Sequence, residues 1–146
     1  MATLPWTPSH PGAPADRTSP GEVVVLASRL ELRRFRTVPR FLAGAMRVRA
    51  QVRRSSGAIG VSLMAQPGRR TFWTLSAWTD QAAIDAFVGT APHRDIMRTF
   101  HDAMAEASFV TWAVGTDAVP AARSNARELW HDARARLTTA RTGGSR

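Results

Sequence analysis

Hydrophobic and polar positions along this chain follow two periods, and the changes of period mark its elements. Residues 23–32 are β-branched and aliphatic, the composition of a strand. Over 37–54 the period lengthens: Phe41, Ala45, Val48 and Val52 fall at i, i+4, i+7 and i+11, one stripe of a helix. Arg36, Arg40, Arg47 and Arg54 fall opposite, as a solvated face would, while Arg49 and Arg53 lie on a flank that could reach a ligand or a partner subunit. Ser55-Ser56-Gly57 ends the helix. Residues 58–65 read as a second strand, Pro67-Gly68 as a turn and 71–78 as a third strand, making a hairpin. Thr79 and Asp80 offer capping oxygens to a helix carrying Ile84, Phe87 and Val88, which Gly89 and Pro92 interrupt. A further helical stretch is expected over about 92–106, and a fourth strand over 108–113.

The resulting order, β-α-β-β-α-β over 22–114, predicts an α+β domain of ferredoxin-like type: an antiparallel sheet with both helical regions on one face. Strand alternation leaves apolar side chains on both sides of that sheet, with Trp73 and Leu75 opposing Phe72 and Trp78. A bare apolar face is not tolerated on a soluble monomer, so face-to-face pairing in a homodimer is expected. Two segments flank the domain. Residues 1–21 hold five prolines and little apolar surface, and are expected to form a flexible arm in which Trp6 alone could dock. Residues 115–146 are expected to form an extra C-terminal helix over 117–139, striped by Ala126, Leu129, Trp130, Ala133 and Leu137, and a polar tail. That helix could cover its own subunit or swap onto the partner.

Composition narrows the functional classes. The chain has 146 residues and no cysteine, which excludes disulfides, thiolate metal sites and cysteine nucleophiles. No apolar run approaches the length of a membrane helix and no signal-type segment opens the chain, so no membrane partner and a cytoplasmic location are expected. The net charge of +9 comes from arginine alone. Arginines attract phosphates, but no nucleic-acid motif accompanies them and the five tryptophans are not interleaved with them, which disfavours nucleic acid as a partner.

Candidate chemistry concentrates around the second helical region. His93, Met97, Phe100 and Met104 share the face that should meet the sheet, whereas Arg94, Arg98 and His101 point outward. An inward histidine just after a helix break is a candidate general base or ligand contact, and equally a residue that closes the helix start. His10 and His131 carry less. Trp73 and Trp78 must face opposite sides of their strand, one lining the space between sheet and helices. Ser28, Ser62 and Ser76 add hydroxyls to these large residues, the mixture of a cavity wall. No metal-ligand spacing, phosphate loop, dinucleotide fingerprint or nucleophile elbow is present.

The stretch Phe72-Trp73-Thr74-Leu75-Ser76-Ala77-Trp78-Thr79-Asp80, then Ala82-Ala83-Ile84-Asp85-Ala86-Phe87, then Pro92-His93-Arg94, resembles antibiotic-biosynthesis-monooxygenase-like proteins. It is similar also to uncharacterised proteins related to spheroidene monooxygenase. The resemblance covers about 22–114. It implies a dimeric α/β barrel with a pocket between sheet and helices in each subunit. Trp78 and Phe87 match the family's strand-end tryptophan and helix aromatic, and His93 its helix histidine. Haem-degrading members place an iron-ligating histidine near the position of Met97, and the asparagine they carry on the first strand is absent here.

Three functional readings follow. The leading one is a small monooxygenase binding a flat, apolar, phenolic molecule beside Trp73, Trp78, Phe87, Met97, Phe100 and Ser28. His93 would be its base, with no cofactor required. The others are a non-catalytic ligand-binding or interaction dimer, and a haem-binding protein. A closed apolar cavity of a few hundred cubic ångströms would favour a ligand site over a filled core.

Overall fold

The computed structural model describes residues 2–9 and 21–144. Its central elements follow the sequence pattern: strand β2 (Glu22–Leu32), helix α1 (Val38–Arg54), strands β3 (Ala58–Gln66) and β4 (Thr71–Trp78), helices α2 (Gln81–Val88) and α3 (His93–Phe100), and strand β5 (Met104–Gly115). Strands β3, β4, β2 and β5 lie side by side in that order, each antiparallel to its neighbour. This is the α+β, ferredoxin-like arrangement expected of the pattern. Asp80 caps α2 by accepting from the Ala83 N–H at 2.8 Å. Gly57, at φ +84°, closes the α1–β3 turn where a Cβ would lie 2.6 Å from that of Ala83.

Three local expectations differ. The first strand, β1 (Ala2–Pro8), occupies part of the segment expected to be a flexible arm; residues 10–20 of that segment lie outside the described residues. β1 pairs antiparallel with β3 at the sheet edge, where proline is tolerated because one side of the strand needs no ladder donors. Trp6 is completely buried, its Nε1 donating to the Pro120 carbonyl at 3.1 Å, and its indole lies over Gly60 so closely that a Cβ there would sit 2.5 Å away. Second, α3 stops at Phe100, and Met104 begins β5 rather than continuing the helical stripe. Its side chain is buried in either setting. Third, the last helix, α4 (Arg127–Gly144), starts ten residues later than expected, after an irregular connection containing Pro120 and Ala126 at φ 50°.

Helix α4 changes the view of the sheet. One sheet face meets α1–α3 through Leu30, Leu32, Phe72, Val61 and Trp78. The other, expected to be bare, is covered by α4 and Trp6: Leu129, Trp130, Ala133 and Leu137 pack with Val25, Ala27, Trp73, Leu75, Ala77 and Trp112. Trp130 Nε1 donates to the Ser62 hydroxyl at 3.0 Å, which in turn donates to the Leu4 carbonyl at 2.8 Å, tying α4, β3 and β1 together. Ser62 therefore belongs to this face rather than to a cavity under the helices. The guanidinium carbons of Arg134 and Arg136 lie 5.7 and 4.8 Å from the rings of Trp73 and Trp112, so part of the arginine excess caps tryptophans. Among the described residues no helix is long and apolar enough to cross a membrane.

Candidate active site

Between the sheet and helices α1–α3 lies a cavity of about 210 Å³, with an apolar wall built by Leu26 and Leu30 of β2, Phe41 and Val48 of α1, Leu63 of β3 and Ile96 and Met97 of α3. Pockets for drug-sized ligands commonly span about 300–1,000 Å³, so this one suits a molecule of two or three fused rings. The N-terminal strand adds Ala2, Thr3 and Leu4 to the rim.

An aromatic ladder closes one end. The rings of Trp78 and Phe87 lie 4.9 Å apart and those of Phe87 and His93 lie 4.7 Å apart. Phe87 and His93 reach the cavity; Trp78 sits one layer behind, fully buried, with Nε1 donating to the Ser76 hydroxyl at 2.8 Å. Phe100 also stands behind the wall, edge-on to Phe41 at 5.3 Å. Of the residues singled out in the sequence, His93, Phe87, Met97 and Ser28 thus line the cavity, and Trp78 and Phe100 support it. Trp73 borders it only across the sheet, because its ring packs on the opposite face with Leu129, Trp130 and Arg134 of α4.

His93 is held by a residue that the sequence pattern did not single out. Gln51, buried on α1, donates from Nε2 to the carbonyls of Phe87 and Thr90, and its Oε1 accepts the His93 backbone N–H at 2.8 Å. One amide thus binds the end of α2, the connection and the start of α3. The available signal was a glutamine beside Val48 and Val52, where a helix stripe should be apolar. Burial pushes the imidazole below its ordinary pKa, and a backbone contact with Val88 opposes that shift. The ring is therefore neutral at neutral pH.

Hydrogen bonding separates the polar atoms of the wall. The Ser28 and Thr74 hydroxyls bond each other at 2.5 Å, and Ser76 accepts from Trp78. Two side-chain atoms of wall residues are shielded from solvent without a partner: Nδ1 of His93 and Nε of Arg49. A neutral imidazole with an unpaired ring nitrogen beside an apolar cavity can accept a proton from, or hydrogen-bond to, a bound molecule. His101 and His131 are exposed, and His10 lies outside the described residues.

Fold and cavity together define a small α+β domain of monooxygenase-like build. Residues 38–99, from the start of α1 almost to the end of α3, match the model of the antibiotic biosynthesis monooxygenase family. Solved structures agree at the level of fold. The chain is similar to SnoaB, a cofactor-independent oxygenase from Streptomyces nogalater, at 15% identity over 64% of this chain and 94% of that one, with a TM-score of 0.54. A candidate antibiotic biosynthesis monooxygenase from Nitrosomonas europaea is 18% identical over 61% of this chain and 95% of its own, with a TM-score of 0.55. A candidate monooxygenase from Lactobacillus acidophilus is 9% identical over 82% of this chain but 52% of its own, with a TM-score of 0.62. No curated protein matches the sequence.

Proposed function

We propose that the chain is a cofactor-independent monooxygenase acting on a flat, apolar, phenolic molecule bound between the sheet and α1–α3, with His93 as the base. The observation that carries the reading is the unpartnered Nδ1 of a neutral His93 at the wall of an apolar cavity. The likeness to SnoaB, itself described as a cofactor-independent oxygenase, points the same way. In this chemistry His93 removes a proton from the substrate and leaves a delocalised carbanion. Oxygen adds to the electron-rich carbon, and return of the proton gives a hydroperoxide. Loss of water from a carbon that still bears hydrogen then leaves a carbonyl. One oxygen atom ends in product and one in water, and the substrate supplies the electrons. The apolar wall excludes water and so favours the delocalised anion over competing protonation.

The test is oxygen uptake with a panel of polycyclic phenols, after binding has been established for each. A bound phenol should drive uptake in the wild type, and His93→Ala should lower turnover by about a hundredfold or more. Binding without uptake by any phenol would leave a ligand-binding protein and remove the catalytic reading.

A further inference from the structure

We propose that the cavity selects planar aromatic molecules carrying a carboxylate, and that Arg49 is the residue that holds the carboxylate. The inference rests on reading the cavity as a ligand site and adds a substrate class to it. Arg49 projects from α1 into the wall that His93 approaches from α3. Its Nη2 donates to the Thr7 hydroxyl of β1 at 3.0 Å, which fixes the guanidinium at the rim, while its Nε is shielded and unpartnered. Arg53, one turn further along α1, also has a shielded, unpartnered Nε. Among the described residues neither arginine forms an ion pair. Burial pushes the Arg49 pKa down, and the positive charges of Arg53 and Arg123 push it further in the same direction. A guanidinium with a shielded, unpartnered Nε and no carboxylate partner, at the wall of a largely apolar chamber, is arranged to receive an anion. The planar guanidinium fits a carboxylate, accepting it on donors that no protein group uses. The wall then contains two separate functions, an anion anchor on α1 and a proton acceptor on α3, with apolar surface between them for a ring system.

The experiment compares 2-naphthoate with 2-naphthalenemethanol, its neutral counterpart, by calorimetry on the full chain. The wild type should bind the carboxylate at least about tenfold more tightly, the size of one charge-assisted hydrogen bond. Arg49→Gln and Arg49→Met should abolish the preference while leaving the affinity for the alcohol within about threefold. Arg53→Met should keep most of the preference. Equal affinity of the wild type for the two probes, or a preference that survives in both Arg49 variants, overturns the inference and leaves the cavity reading intact. Failure of the wild type to bind either probe overturns both. An Arg49 variant that has lost its fold is replaced in the comparison by Arg49→Lys, which keeps the charge but not the planar fork and should retain only part of the preference.

Discussion

His93 joins several properties at one residue: it starts a helix, has its backbone N–H fixed by Gln51, stacks on Phe87, and keeps Nδ1 free at the cavity wall. Its lowered pKa has consequences of definite sign. In the unfolded chain an imidazole binds its proton near pH 6.5; in the folded chain it does so only at lower pH. Between those values the unfolded state holds more protons, so stability rises with pH there and falls as pH drops below about 6.5. Wild type and His93→Gln, compared by chemical denaturation from neutral pH downward, should differ in this slope, with the variant flatter. A variant with the same slope would show that the ring is not desolvated. The base form should likewise remain available to activity below the ordinary imidazole range. His101→Ala is the matched control for activity: an exposed ring beside Asp102, away from the cavity, should leave turnover unchanged.

The elements divide into those written in the sequence pattern and those hidden from it. Strands β2–β4 and helices α1 and α2 were legible because their apolar residues repeat with clear periods, and the inward side of α3 followed from spacing alone. The end of α3 and the start of β5 did not, because Met104, buried in β5, falls in register with the helical stripe. Strand β1 was hidden because Pro5 and Pro8 argue against a strand everywhere except at an edge, and its neighbour β3 is 50 residues away in sequence. Gln51 was hidden for a related reason. Its value lies in joining α1 to the connection before α3, a contact that no local pattern encodes. The start of α4 was misplaced because residues 117–126 contain helix-compatible alanines, while Pro120 and the left-handed Ala126 keep them irregular. Docking of β1 makes a sharp prediction. Trp6→Ala should cost about 3–5 kcal/mol by chemical denaturation, the usual range for a buried aromatic. Gly60→Ala should cost about 1–3 kcal/mol by crowding the same indole. A Trp6→Ala protein as stable as the wild type would mean that the strand is not seated in solution.

At the scale of the whole molecule, the question is what covers the second face of the sheet. Two-sided alternation in β4 demanded a cover, and a second subunit was the simplest one available from pattern alone. In the structure α4 and Trp6 occupy that face, so a homodimer formed by pairing bare sheets has lost its physical motive; any homodimer of the full chain must use another surface or displace α4. Removing the helix should restore the motive. A chain ending at residue 120 would expose Val25, Ala27, Leu75, Ala77 and Trp112 together, a patch that water does not tolerate on a monomer. We therefore expect sedimentation at micromolar concentration to show the shortened chain as a dimer or larger species, more associated than the full chain under the same conditions. The Trp130–Ser62 hydrogen bond offers a finer probe, because Trp130→Phe keeps most of the apolar surface while leaving the Ser62 hydroxyl without its donor. That variant should be destabilised by about 1 kcal/mol, the worth of a single buried hydrogen bond, with no change in association. Identical sedimentation of the full and shortened chains would show that α4 does not rest on the sheet in solution, and the face would again need a partner.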